Sequence, residues 1–500
     1  MIVKNIVKTV RASAWFVLVS GCMGAQPIMT QSFITRDGHR LMDGDQEFRF
    51  AGIHAPELHR IEDDSKGACP NDPRGWGQYF KWPSALEQES WIQSLADSGH
   101  KAMRVYVLSV ASPFDAACGR ETHILPPTSP DGMPVLNKQA FIIYDRMISL
   151  AGDYNLRLIL PFIDHWHWWG GREQLAAFYG ESADDFYRTG SKTYAAYLNI
   201  IEQVITRKNT ITGSYYYDDP AIMAWETGNE LKGSTAEFVR KTAAHIKSLA
   251  PSQLVVDGTY LKIIPESLED PNIDIISNHF YTVNNNNNPE QIKSNLASIA
   301  EKKAYLVGEY GLLPSEGMRD IMQTAVHYEH NGAKTSGIFV WGFRGHREEG
   351  GFYWHKEYTG HYSYHLPGFA DNDNNEERAV VALVREAQAQ MAGLSEIPPL
   401  PKPKAPLLHA IANPKQDIRW MGAALASHYR VERAPSEAGP WLAIADSVSD
   451  GRNEFNPDAD SLFSDAQLSE SGTWYYRVIA MNESGESPPS NVVSVEYVHP

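Results

Sequence analysis

The stretch A-I-M-A-W-E-T-G-N-E-L, Ala221 to Leu231, decides the fold. Ala221 to Thr227 is a short, mainly apolar run with a glycine behind it, the pattern of a strand buried on both faces, and Asn229-Glu230 stands where that strand ends. Tyr305-Leu306-Val307-Gly308-Glu309 repeats the arrangement, again with a carboxylate at its C-terminal end. Outward from these two, six more short runs read as strands: Phe48 to His54, Ala102 to Val107, Leu156 to Phe162, Leu254 to Gly258, Ile273 to His279 and Gly337 to Trp341. Helical patterns fall between them at Ser84 to Ser98, Lys138 to Tyr154, Tyr187 to Lys208, Ser234 to Leu249, Pro289 to Lys302 and Met318 to Asn331, and Glu376 to Met391 follows the last strand. Strands alternating with helices imply a parallel sheet, and eight such units predict a closed (β/α)8 TIM barrel, an α/β fold. Barrels of this kind display their chemistry at the C-terminal ends of the strands, where both glutamates stand.

Five hundred residues, 43% hydrophobic and 11% aromatic, suffice for a large core and a satellite module. The balance of 44 basic against 61 acidic residues, a formal charge of −17, repels phosphate backbones and argues against a nucleic-acid partner. At the N-terminus Lys4, Lys8 and Arg11 precede an apolar stretch, Ala12 to Val19, too short to span a bilayer and typical of a signal peptide. It runs into Val19-Ser20-Gly21-Cys22, which resembles the bacterial lipobox. Residues 1–22 are therefore expected as an export signal with Cys22 lipidated, making a lipid anchor the only membrane contact, with ordinary cleavage near Ala25 as the alternative. Met23 after the cysteine favours the outer membrane, or a cell-surface or extracellular location. Of three cysteines, Cys69 and Cys118 remain as an even pair in an oxidising context, so a disulfide is expected; two independent thiols are the alternative.

Residues 23–395 form the expected barrel domain. The connections after the first three strands and after the eighth are long, and they rise on the active-site face. Cys69 lies in the first and Cys118 in the second, so their bridge would tie two neighbouring rim loops. Asn284 to Asn288 reads as a solvated loop without chemistry, and Asp371 to Asn375 as a polar turn. Residues 396–406 are proline-rich and predict an extended, semi-rigid spacer. Residues 407–500 change to short strands with turn residues, a small all-β immunoglobulin-like sandwich. This segment resembles a fibronectin type III module: Leu468 to Val478 is similar to that family's L-x-x-x-G-T-x-Y-x-R-V stretch, with Tyr475 in the corner-tyrosine position.

A pair of carboxylates is what a retaining glycosidase requires, one as acid/base and one as nucleophile. The barrel segment also resembles glycoside hydrolase family 5 over about 350 residues, in the polar and aromatic residues that end its strands: Arg104, Asn229-Glu230, His279-Phe280-Tyr281, Glu309 and Trp341. The resemblance implies Glu230 as general acid/base and Glu309 as nucleophile. It also implies Asn229 on the sugar 2-hydroxyl, His279 orienting the acid, Arg104 and Tyr281 donating to the nucleophile, and Trp341 flooring the sugar that is cleaved. A structural ion pair between Arg104 and Glu226 is the alternative for that arginine. The loop Pro161 to Gly171, with His165 and Trp166, resembles the P-F-V-N-N-W-x-x-x-G-G stretch of the family's β-mannanases, although Asp164 and His165 replace two asparagines and His54 stands where many relatives carry asparagine.

The expected partner is thus a β-linked polysaccharide or oligosaccharide, and the expected activity retaining endo-cleavage of β-1,4-mannan by double displacement. Alternatives are an exo-acting or β-glucan-active glycosidase and, from another class, a non-catalytic glycan-binding surface lipoprotein. The chemistry needs no cofactor. His165-x-His167 lacks the third ligand of a metal site, so no metal is expected there. The aromatics between Phe343 and Phe369 read as glycan subsites or a lid, or as a small core supporting a long loop.

Overall fold

The computed structural model describes residues 31–73, 78–372 and 375–499. The expected lipobox, Val19 to Cys22, lies outside the described residues. Eight parallel strands form the barrel: β1 (Phe50–His54), β2 (Ala102–Arg104), β3 (Arg157–Pro161), β4 (Ile222–Glu226), β5 (Leu254–Asp257), β6 (Ile275–Phe280), β7 (Ala304–Tyr310) and β8 (Gly337–Trp341). From β2 to β8 each strand pairs with the next, and β8 pairs with β1. Between β1 and β2 the ring closes through Ala55 N–H to Arg104 O at 3.3 Å and Tyr106 N–H to Pro56 O at 3.1 Å.

Alternation along the strands sets what the interior holds. Phe50, Ala102, Ile159, Ala224, Val256 and Phe339 point inward and form an apolar plug. Two residues on, the same faces present Arg104, Glu226 and Trp341, so the plug gives way to a polar layer at the C-terminal mouth. The intervening residues pack outward against helices that begin where the sequence supplies caps. Ser84 and Glu87 form a reciprocal capping box at Ala85–Asp97, and Asn137, Ser191, Thr235 and Asn288 cap four more.

The rim loops are cross-tied. Cys69 and Cys118 are joined by a disulfide, and the buried Arg120–Asp72 ion pair at 2.7 Å links the same two loops. Asn284 to Asn288 departs from its reading as a solvated loop: Asn286 is buried, accepts Tyr281 N–H at 3.0 Å and donates to His279 O at 3.0 Å.

Beyond the barrel, His428–Ala434 pairs with Leu442–Val448 on one side and Gly472–Asn482 on the other; Val493–Tyr497 and Gly485–Glu486 complete an antiparallel sheet. Trp420, Tyr429, Val431, Tyr476 and Val478 fill its own core. Tyr475 does not take the inward position expected of it: strand alternation turns Tyr476 inward, where its hydroxyl donates to Asp465 at 2.9 Å, and leaves Tyr475 on the outer face. Nor does the proline-rich segment stand clear as a spacer. Leu400 is buried, its N–H donates to Glu483 at 2.8 Å, and Pro398 O and Pro401 O accept from Arg385 and Asn482. Residues 32–500 form one compact unit.

Candidate active site

Two local devices place the glutamates. After β4 the chain makes a tight turn at Gly228, φ +153°, where a Cβ would meet Ile163 O at 2.5 Å; a Cβ on Gly258 would meet Gly228 O at 1.9 Å. Glycine at both positions lets the ends of β3, β4 and β5 converge. Glu230 itself takes the left-handed conformation, φ +53°, which is uncommon for a side-chain-bearing residue and marks a position held by its surroundings. In β7 the device is a register shift. Ala304 and Leu306 face the interior plug, so simple alternation would turn Glu309 outward, but the ladder steps from Asn278–Val307 to His279–Glu309 and re-aims the carboxylate inward. Gly308 sits in the irregularity, where a Cβ would come within 2.6 Å of Ser277 Oγ.

The two carboxylates and the His279 ring bring one atom each within 4.8 Å of one another. Glu230 Oε1 accepts from His279 Nδ1 at 2.8 Å and Oε2 from Trp166 Nε1 at 2.6 Å. Glu309 Oε1 accepts from Arg104 Nη1 at 2.7 Å and Oε2 from the Tyr281 hydroxyl at 2.8 Å. Arg104 also grips Glu226 through Nε and Nη2, at 2.6 and 3.0 Å, and donates to Asn229 Oδ1 at 2.9 Å and His54 Nε2 at 2.9 Å. Every guanidinium N–H therefore has an acceptor. The ion pair with Glu226 and the contact with Glu309 coexist on one side chain.

Electrostatics separate the two acids. Burial pushes Glu230 up to about 7, against the Trp166 hydrogen bond and Arg104, which lower it. Glu309 is also raised by burial, with the Arg104 guanidinium and the Tyr281 hydroxyl pulling it back. Burial drops His279 to about 4, so near neutral pH the ring is uncharged and donates Nδ1–H to Glu230. Only Glu309 has a permanent cation in hydrogen-bond contact, so it is the first of the pair to ionise.

That cleft, about 980 Å³, is lined by both glutamates, Asn229, Tyr281, Trp166 and Trp341. Trp341 donates its indole N–H to Glu357 at 2.5 Å. His165 is held from behind: its Nδ1 lies 2.7 Å from the Tyr187 hydroxyl and 3.1 Å from Arg172 Nε, and its ring packs edge-on against Trp166 at 4.8 Å, so it touches the cleft through that tryptophan. Asn229 lines the cleft, but its amide is in use, donating to Asp164 at 3.0 Å and to the Tyr106 hydroxyl at 3.1 Å. A sugar hydroxyl reaches that amide by displacing one of these contacts.

Tyr106, Asp164 and His54 were not among the expected site residues. Asp164 is buried and pushed up to about 7 by desolvation, with Tyr106 donating to it at 3.0 Å. His54, held well below its ordinary value by burial and Arg104, accepts from that arginine as a neutral ring. Asp164 and His54 were visible as departures from a familiar pattern, at strand ends or just beyond, whereas Tyr106, two residues after Arg104, carried no such signal. Among the described residues a second group, Glu62, Asp64 and His355, also has the spacing of metal ligands. In the Glu230, His279 and Glu309 group the Arg104 cation occupies the place where an ion's charge would act.

Residues 84–309 match the model of the family 5 β-mannosidase-like glycoside hydrolases. This barrel segment is similar to that family over those residues. A mannan endo-1,4-β-mannosidase of Arabidopsis thaliana is 35% identical over 136 residues, 25% of this chain and 32% of the plant protein. The chain thus spans about a third of the length of that curated relative. Among solved structures, the family 5 mannosidase of Rhizomucor miehei superposes with a TM-score of 0.56 at 18% identity, over 74% of this chain and 99% of its own. The endo-β-1,4-mannanase of Thermotoga petrophila gives 0.53 at 17%, over 91% of this chain and 99% of its own. At these identities the two structures speak for the fold. The matched segment carries Glu230 and His279, and Glu309 is its last residue.

Proposed function

We propose that this chain is a retaining glycoside hydrolase that cleaves β-1,4-mannan. The observation that carries the reading is the carboxylate pair in the cleft, with one atom of each within 4.8 Å, a spacing in keeping with the roughly 5 Å of retaining enzymes and short of the wider gap that inversion needs. Glu309, ionised beside Arg104 and Tyr281, attacks the anomeric carbon. Glu230, raised by burial, protonates the departing glycosidic oxygen, and the covalent glycosyl–enzyme forms as that C–O bond breaks. Glu230 then takes a proton from water, whose oxygen displaces Glu309 and releases the sugar with its configuration retained. Trp341 and Trp166 offer apolar faces to pyranose rings, and Asn229 supports the 2-hydroxyl.

Mannan is favoured by the family match and by the names of the curated relatives. Exo-action is the second reading, favoured by the last long loop, whose Lys356 to Tyr358 stretch lines the cleft. Product analysis on linear mannan, galactomannan, cellulose and mixed-linkage glucan distinguishes these readings. A ladder of manno-oligosaccharides means endo-cleavage, release of single sugars means exo-cleavage, and activity confined to glucans contradicts the substrate. Binding without turnover would favour the glycan-binding alternative. The C-terminal sheet is read as a fibronectin type III-like structural module. The N-terminus is read as a lipobox that anchors an exported protein; fatty-acid labelling lost in Cys22→Ala tests it.

A further inference from the structure

A second group of ionisable side chains lines the same cleft, where the loop after β1 meets the loop after β8. Glu62, Asp64 and His355 each place one ligand-type atom within 4.8 Å of the others. His355 Nδ1 is 2.8 Å from Asp64 Oδ2 and 3.6 Å from Glu62 Oε2. Two neighbouring acids have cations of their own: Glu57 faces Arg344 at 3.0 Å, and Asp63 faces Arg347 at 3.1 Å. Among the described residues Glu62, Asp64 and Glu357, the last 3.5 Å from His355 Nε2, gather around one imidazole, with the Arg344 guanidinium acting on Glu62 and Glu357 from further off. Three carboxylates about one ring carry an excess of negative charge where charge is costly to bury.

Glu62 supplies the independent sign. It is 2% exposed, stands in the cleft wall, and its Oε2 has no hydrogen-bond partner among the described residues. Buried carboxylate oxygens without a donor are rare, and this one lies 3.6 Å from the imidazole Nδ1, whose proton goes to Asp64.

We propose that Glu62, Asp64 and His355 bind a divalent metal ion of the Mn²⁺ or Zn²⁺ class. One imidazole nitrogen with two carboxylate oxygens is a mixed donor set suited to these ions, whereas Ca²⁺ takes oxygen ligands. Ligation through Nδ1 requires the neutral ring with its proton on Nε2, where Glu357 Oε1 receives it; a carboxylate behind a ligating histidine is the usual way its tautomer is fixed. The Nδ1 proton is released to solvent on binding. Glu62 and His355 both face the cleft, so the open positions of the ion take water or a substrate hydroxyl. Glu357 also accepts from Trp341 Nε1, so the ion clamps the first and last rim loops together and braces the tryptophan at the mouth of the barrel.

The test uses the full chain, stripped with EDTA and titrated calorimetrically with Mn²⁺, Zn²⁺ or Ca²⁺ alone, with thermal melting alongside. Expected are one equivalent of Mn²⁺ or Zn²⁺ per chain, proton release, and a rise in Tm of a few degrees. Affinity should fall at least about tenfold in Glu62→Gln and in His355→Ala, and should persist in Glu309→Gln. Absence of saturable binding by the wild type, binding that survives both variants, or binding lost in Glu309→Gln would each overturn the proposal. X-ray absorption on the Zn²⁺-loaded wild type needs no variant: one imidazole with oxygen ligands supports the site, and two or more imidazoles contradict it. None of these readouts depends on glycan turnover, so the site and the proposed activity stand or fall separately.

Discussion

Glu230 and Glu309 are both buried and differ in their neighbours, which makes their titration the most exposed part of the account. Glu230 must be protonated to act as acid, so kcat/KM should fall as pH rises through about 7. Trp166→Phe removes a hydrogen bond that favours the charged form, so the basic limb should move to higher pH in that variant. Stability responds in the same sense. A carboxyl raised from 4.5 to about 7 on folding keeps its proton in the native state while the unfolded chain loses it, so its contribution to stability falls as pH rises through that window. At 1.36 kcal/mol per unit the loss is about 3 kcal/mol. Glu230→Gln should therefore melt higher than the wild type at pH 8, with the two converging near pH 4, in parallel calorimetric scans. The glutamates, Arg104, Asn229, His279, Tyr281 and Trp341 were legible in the sequence because each stands at or just beyond a strand end. Asp164 and His54 were visible only as departures, since the partner that explains each lies on another strand.

At the scale of elements, all eight strands were legible because runs buried on both faces are nearly uninterrupted apolar segments. The register shift in β7 was not, because no periodicity announces where a ladder slips, yet it re-aims Glu309. Loops were the least legible. Asn284 to Asn288 read as polar and solvated, whereas Asn286 holds the backbones of Tyr281 and His279. Asn286→Ala leaves two buried main-chain groups unpaired and frees Tyr281, so kcat should fall about tenfold or more, with a smaller change in KM. The Cys69–Cys118 bridge closes a loop of 49 residues, which in the chain-entropy model stabilises the fold by roughly 4 kcal/mol. A Cys69→Ser/Cys118→Ser double variant should lose that much, or less if the Arg120–Asp72 pair holds the loops in the unbridged chain, as measured by denaturant titration.

Across the whole molecule, the C-terminal sheet packs on the last rim loop. His346 Nε2 lies 3.2 Å from the buried Asp450, Trp354 donates to Phe455 O at 3.3 Å, and a Cβ on Gly351 would meet the Phe455 ring at 2.8 Å. Composition marked the proline-rich segment as a spacer but could not reveal that the sheet beyond it returns to cover the barrel's own loop. A chain ending at residue 395 should lose most of its activity and melt lower, and the full chain should unfold in one calorimetric transition; two separate transitions would contradict this coupling. The central claim, a covalent intermediate on Glu309, is tested most directly by incubating the whole protein with an activated 2-deoxy-2-fluoro-β-mannoside and measuring its intact and peptide masses. The account predicts a single added fluoromannosyl group on the peptide carrying Glu309, absent in Glu309→Ala. Turnover of mannan with no adduct, or an adduct on any other residue, would contradict it.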